Sequence, residues 1–192
     1  MPDIQTILTN ISNVIVPLTA LTLTISFTAG VFFIFQALVA LKHFGGQIGA
    51  TGQAQPGEFG GPLMKLLIGA ILIYLPSSTD ALTNSLFNTG SSLFGSGSIN
   101  YQSLGSGSTL LGYGGASSFG QQWAALANTL VLYIQFIGLL SMLKGWFILA
   151  NSAGHNAQQG NVAKGFTHVI GGIIAMNFIT AVNIINNTIF GT

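Results

Sequence analysis

The sequence predicts an all-α, polytopic membrane protein whose four transmembrane helices form two tandem helical hairpins. Three observations lead there. Only 4% of the 192 residues are charged, against about a quarter in soluble domains. Four apolar stretches approach or exceed the roughly 20 residues that cross a bilayer. The second half of the chain also aligns with the first.

Composition removes several function classes. Disorder needs low hydrophobicity and high charge, the reverse of what is found here. Cysteine is absent, so disulfides and thiolate metal sites are impossible. Arginine, the bidentate reader of phosphate, is absent too, and the net charge is +1; no direct nucleic-acid binding is expected. Lipid is the expected partner, and no cofactor is expected.

The first helix is predicted at about 14–41, free of charge until Lys42. At ~1.5 Å per residue it is long enough to cross and to tilt or protrude. Residues 1–13 hold one acid and no base, unlike the charged start of a cleaved leader, so no cleavage is expected. The second helix is predicted at about 62–87. Its uninterrupted apolar core, Leu66 to Leu75, is short enough to suggest a re-entrant or buried segment. It reaches spanning length when Pro62 starts it and Pro76 kinks it without ending it, as membrane helices tolerate.

Residues 88–122 change character, with nine Gly, nine Ser and no charge. The default reading is a flexible linker. Leu93, Phe94, Ile99, Tyr101, Leu110 and Tyr113 recur through it, which a tether does not need, so an ordered contact surface is the alternative. The third helix is predicted at about 123–150 and the fourth at about 165–190. The expected organisation is a first hairpin over 1–87, the Gly/Ser segment over 88–122 and a second hairpin over 123–192.

Gly57 to Phe87 and Gly160 to Phe190 align without gaps, pairing Gly69 with Gly172, Ile71 with Ile174, Asn84 with Asn187 and Phe87 with Phe190. Upstream the register shifts by five residues and pairs Gly30 with Gly138 and Leu41 with Leu149. Internal similarity of this kind marks a structural repeat. Two crossings per unit give both units one orientation, a parallel repeat. Lys42, Lys65, Lys144 and Lys164 flank the two hairpin loops, and basic residues favour the cytoplasmic side. The termini and the Gly/Ser segment are therefore expected on the opposite, periplasmic side.

Chemistry-bearing residues are few and scattered, and no HExxH, GxSxG, Walker or Rossmann pattern occurs; an enzyme is not expected. Lys65, Lys144 and Asp80 are ionisable residues in predicted helices and so invite a functional reading. Each lies near a helix end, where a lysine can snorkel and an aspartate can reach water. The informative pattern is small residues at helical spacing: Thr22, Ser26 and Gly30; Gly69; Gly138, Ser141 and Gly145; Gly171, Gly172 and Ala175. In lipid such stripes let backbones approach closely and drive helix association. Asn177, Asn183, Asn186 and Asn187 add amides to the fourth helix, with interhelical bonding the expected use and a wet surface the alternative.

The segment LLIGAILIYLPSSTDALTNSLF, Leu66 to Phe87, resembles the Gly-apolar-Tyr-Leu-Pro segment of the IcmC/DotE family of Dot/Icm type IVB secretion systems; the related DotV, IcmD/DotP and conjugative TraQ proteins look alike. The resemblance implies a multi-pass subunit of the bacterial inner membrane, in an envelope-spanning machine that exports effector proteins or DNA, and it brings no catalytic residues. Each hairpin also looks like a type IV secretion pilin, so the chain resembles two pilins in tandem, which implies assembly with copies of itself or with similar membrane subunits. The competing expectations are a stand-alone small-solute transporter or channel, and a holin-like pore former.

Overall fold

The structure, a computed structural model, describes residues 4–51, 60–88, 93–95, 98–99, 118–152 and 161–191. They form six helices: α1 Ile4–Thr51, α2 Gly60–Ile73, α3 Leu75–Phe87, α4 Ser118–Ala150, α5 Asn161–Met176 and α6 Phe178–Phe190. The stretches Ser12–His43 and Leu126–Ala150 are long and apolar enough to cross a membrane, and the total reaches four if each bent pair, α2 with α3 and α5 with α6, is one span.

Two predicted helices are corrected. The segment expected as one kinked helix over 62–87 breaks at Tyr74 and bends by 94°, and the one expected over 165–190 breaks at Asn177 and bends by 83°. Each pair is either a broken span or a re-entrant turn. At the first break Pro76 has no N–H, which removes the bond its amide would give the Leu72 carbonyl four residues back. At the second no proline is present; Asn177 Nδ2 donates to the Ile173 carbonyl at 3.0 Å, and that carbonyl also accepts its helical bond from the Asn177 N–H at 3.1 Å. The first helix runs longer than the expected 14–41 at both ends, Ile4–Thr51, with Pro17 inside it as expected.

The chain divides into two compact units. The first comprises Met1–Leu21, Thr79–Leu139 and Gly172–Thr192. Within it Ser12 Oγ lies 3.5 Å from Thr129 Oγ1, joining α1 to α4, and Asn177 Nδ2 donates to Thr83 Oγ1 at 3.3 Å. Its buried polar set is neutral: Thr19, Thr79, Thr83, Thr129, Gln135 and Asn177. Asp80 has a structural job, since its Oδ1 accepts from the backbone N–H of Leu93 at 2.7 Å and of Phe94 at 3.3 Å. Both residues are buried, and Phe94–Gly95 pairs antiparallel with Ser98–Ile99. At Leu93 and Phe94 the Gly/Ser segment is thus a fixed contact and not a tether. Most of the remainder of 88–122 lies outside the described residues, although α4 begins within it at Ser118.

The second unit comprises Thr22–Ser78 and Leu140–Gly171. Here α1 packs antiparallel on α2, and the rings of Phe33 and Phe147 meet edge to face with centroids 5.8 Å apart, joining α1 to α4. All four lysines belong to this unit. Lys42, Lys144 and Lys164 are exposed. Lys65 is half-buried, and its Nζ donates to Gln36 Oε1 at 3.1 Å.

α1 is built with its large apolar side chains outward. Leu21, Ile25, Phe32, Phe35 and Leu38 are exposed, whereas Thr19, Thr22, Ser26, Gly30 and Ala37 are buried. That arrangement fits hydrocarbon as solvent, where burying leucine gains nothing over leaving it in lipid and close backbone contact becomes the source of attraction.

Candidate functional site

The small-residue stripes form two equivalent helix crossings. A Cβ placed on Gly30 would stand 2.7 Å from the Gly69 carbonyl oxygen and 2.9 Å from the Ile73 nitrogen. One placed on Gly138 would stand 2.8 Å from the Gly172 carbonyl oxygen and from the Met176 nitrogen. Gly69 and Ile73 are the positions that the internal alignment pairs with Gly172 and Met176. The two crossings share not only residue type but register.

The correspondence continues beyond them. Tyr74 and Asn177, the two break residues, are paired positions. The helices that follow end alike: Asn88 takes φ 48° and its N–H reaches the Asn84 carbonyl at 2.9 Å, while Gly191 takes φ 64° and its N–H reaches the Asn187 carbonyl at 3.0 Å. Both are left-handed caps on paired residues, a conformation glycine and asparagine accept at least cost. The alignment found in the sequence is therefore a repeat of local structure.

Around the first crossing, Ser26 Oγ donates to the Leu72 carbonyl at 3.0 Å. This is the carbonyl that Pro76 leaves without a helical donor, and a serine of the neighbouring helix supplies the missing bond. Thr22 is buried one turn before Ser26. Around the second crossing, Gly145 faces the backbone of Gly165 and Val169, where an added Cβ would come within 2.7 Å of the Val169 nitrogen. Ser141 Oγ donates to the His168 carbonyl at 3.3 Å and lies 3.4 Å from its Nδ1, a long contact that joins two helices. Ala175 presents its Cβ to Gly138.

One member of the expected stripe makes no close contact within the chain among the described residues. Gly171 is exposed, and an added Cβ there would meet nothing within 4 Å. A helix turns 100° per residue, so Gly172 faces α4 and Gly171 points away from it. The working stripe of α5 runs through Gly165, Val169, Gly172 and Met176, and Gly165 was missed; its spacing of seven from Gly172 was the available signal. Gln36, Thr79 and Thr83 were missed as well, although the last two stand four apart on one helix face. Asn177 bonds between elements as expected, while Asn183, Asn186 and Asn187 are exposed.

Buried polar atoms need partners. Nδ2 of Asn177 has two, the Ile173 carbonyl and Thr83 Oγ1, but its Oδ1 has none among the described residues. The same is true of the Trp146 indole nitrogen. Among the described residues no three His, Cys, Asp or Glu side chains gather as a metal site would require. His43 is exposed in α1, and His155 and Glu58 lie outside the described residues. What the arrangement can do chemically is hold helices together by backbone contact and neutral hydrogen bonds. No family model, curated protein or solved structure matches this chain.

Proposed function

We propose that this chain is a structural subunit of a type IVB, Dot/Icm-like secretion system in the bacterial inner membrane. Its role is assembly: it joins copies of itself or similar membrane subunits around the export path for effector proteins or DNA and performs no catalysis. The termini and the Gly/Ser segment face the periplasm. The observation that carries the reading is the duplicated crossing, Gly30 on Gly69 and Gly138 on Gly172, beside an α1 that leaves Leu21, Ile25, Phe32, Phe35 and Leu38 exposed. Two equivalent association units in one polypeptide suit a scaffold better than a reaction site. The Leu66–Phe87 resemblance supplies the machine.

A second reading, a stand-alone small-solute channel, is favoured by the neutral polar residues buried in the first unit, Thr79, Thr83, Gln135 and Asn177, which could face a wet path. The experiment that separates them is native electrophoresis of the gently solubilised protein beside flux measurements in liposomes. Assembly predicts multimers or co-migrating subunits and no flux from the purified chain. Monomer with solute flux would reverse the choice.

A further inference from the structure

We infer that copies of this chain join head to tail, the second hairpin of one copy seating on the first hairpin of the next, by repeating the contact that links the two hairpins within a single chain. The inference deepens the assembly reading by naming the partner, a second copy, and the faces that meet.

The evidence lies in paired positions with opposite environments. Within the chain, the first hairpin supplies contacts that cover parts of the second: Ser12 reaches Thr129, Phe33 meets Phe147, and Thr83 accepts from Asn177. These contact positions, and the other buried positions of α4, can be carried back through the repeat to the first hairpin. Phe35 is 64% exposed where its counterpart Leu143 is 5%, and Leu38 is 54% exposed where Trp146 is 7%. Tyr74 is 69% exposed where Asn177 is 1%. Val31, Leu21 and Val39, the counterparts of the buried Leu139 and Thr129 and of Phe147, are exposed too. The same side of the repeat is thus shielded once and bare once.

The giving side shows the converse. Leu75, Thr79 and Thr83 of α3 are buried, and Thr83 meets Asn177. Their counterparts on α6 are Phe178, Val182 and Asn186, and no residue of α6 is buried. One chain therefore carries both halves of an unfilled interface, on different hairpins. Inside the chain α3 fills this surface at Asn177, and on the first hairpin's side of the repeat its complement is the α6 of another copy. Polar matching survives the transfer, since the Thr83–Asn177 bond becomes an Asn186 amide facing the Tyr74 hydroxyl. Lipid alone would cover the bare face without explaining why both complementary faces are open together. Such a heterologous contact closes into a ring or extends as a filament according to its rotation.

The test uses the absence of native cysteine. Tyr74→Cys and Asn186→Cys both change exposed side chains and leave the glycine crossings intact. The full-length variants are expressed in bacterial membranes with different tags and oxidised. Head-to-tail assembly predicts a disulfide dimer only when Y74C and N186C copies are mixed, and a ladder of higher multimers from the double variant. Cross-linking within either single variant alone would indicate a two-fold, face-to-face contact and overturn the inference. Multimers on native gels with no mixed cross-link would overturn the head-to-tail geometry while leaving assembly standing, and monomer throughout would remove both.

Discussion

Gly30 and Gly171 show how much one rotation about a helix decides. Both are helical glycines in apolar surroundings, and from sequence both looked like packing residues. Gly30 touches the backbone of Gly69 and Ile73, so a methyl group there has to push two helices apart. Gly30→Ala is expected to cost about 1–3 kcal/mol, the usual range for overpacking. Gly171→Ala meets open space and is expected to be neutral or to stabilise by up to about 1 kcal/mol, because alanine is the better helix former. Thermal melting of the two variants in the same detergent checks both; equal destabilisation would contradict the geometry. The spacing of small residues was legible in the sequence, but their angular position relative to a neighbour was not.

At the scale of elements the informative feature is the broken helix. Pro76 was visible in the sequence and a kink followed from it. The second break was not visible, because Ile179 stands where the first repeat has proline. The first break depends on help from outside its own helix: Ser26 donates to the carbonyl that Pro76 orphans. Ser26→Ala is expected to cost about 1–2 kcal/mol, since a buried acceptor loses its partner. In a Pro76→Ala background a backbone N–H returns to serve Leu72, so the same serine change should cost less, with a coupling of at least ~0.5 kcal/mol. A double-mutant cycle that proves additive would show that Leu72 draws its bond from elsewhere.

For the whole molecule the open question is which way it faces. The orientation expected from Lys42, Lys65, Lys144 and Lys164 beside the two hairpin loops puts those loops in the cytoplasm. Labelling with a membrane-impermeant thiol reagent in cells with a permeabilised outer membrane checks it. Ser106→Cys should react from outside, while Gly52→Cys and Asn156→Cys should stay protected until the inner membrane is opened. The reverse pattern would place the Gly/Ser segment in the cytoplasm and remove the periplasmic assignment.

The sequence by itself determined the solvent, the helical class and the repeat, because each is a statement about composition or periodicity: 4% charge, long apolar runs, and glycines returning in one register. Tertiary structure decided which glycines touch, where the second and fourth helices break, and that Asp80 pins Leu93 and Phe94. Those outcomes depend on the partner across the gap. A carboxylate or a serine carries no mark in the linear chain of the backbone group, thirteen or forty-six residues away, that it will satisfy.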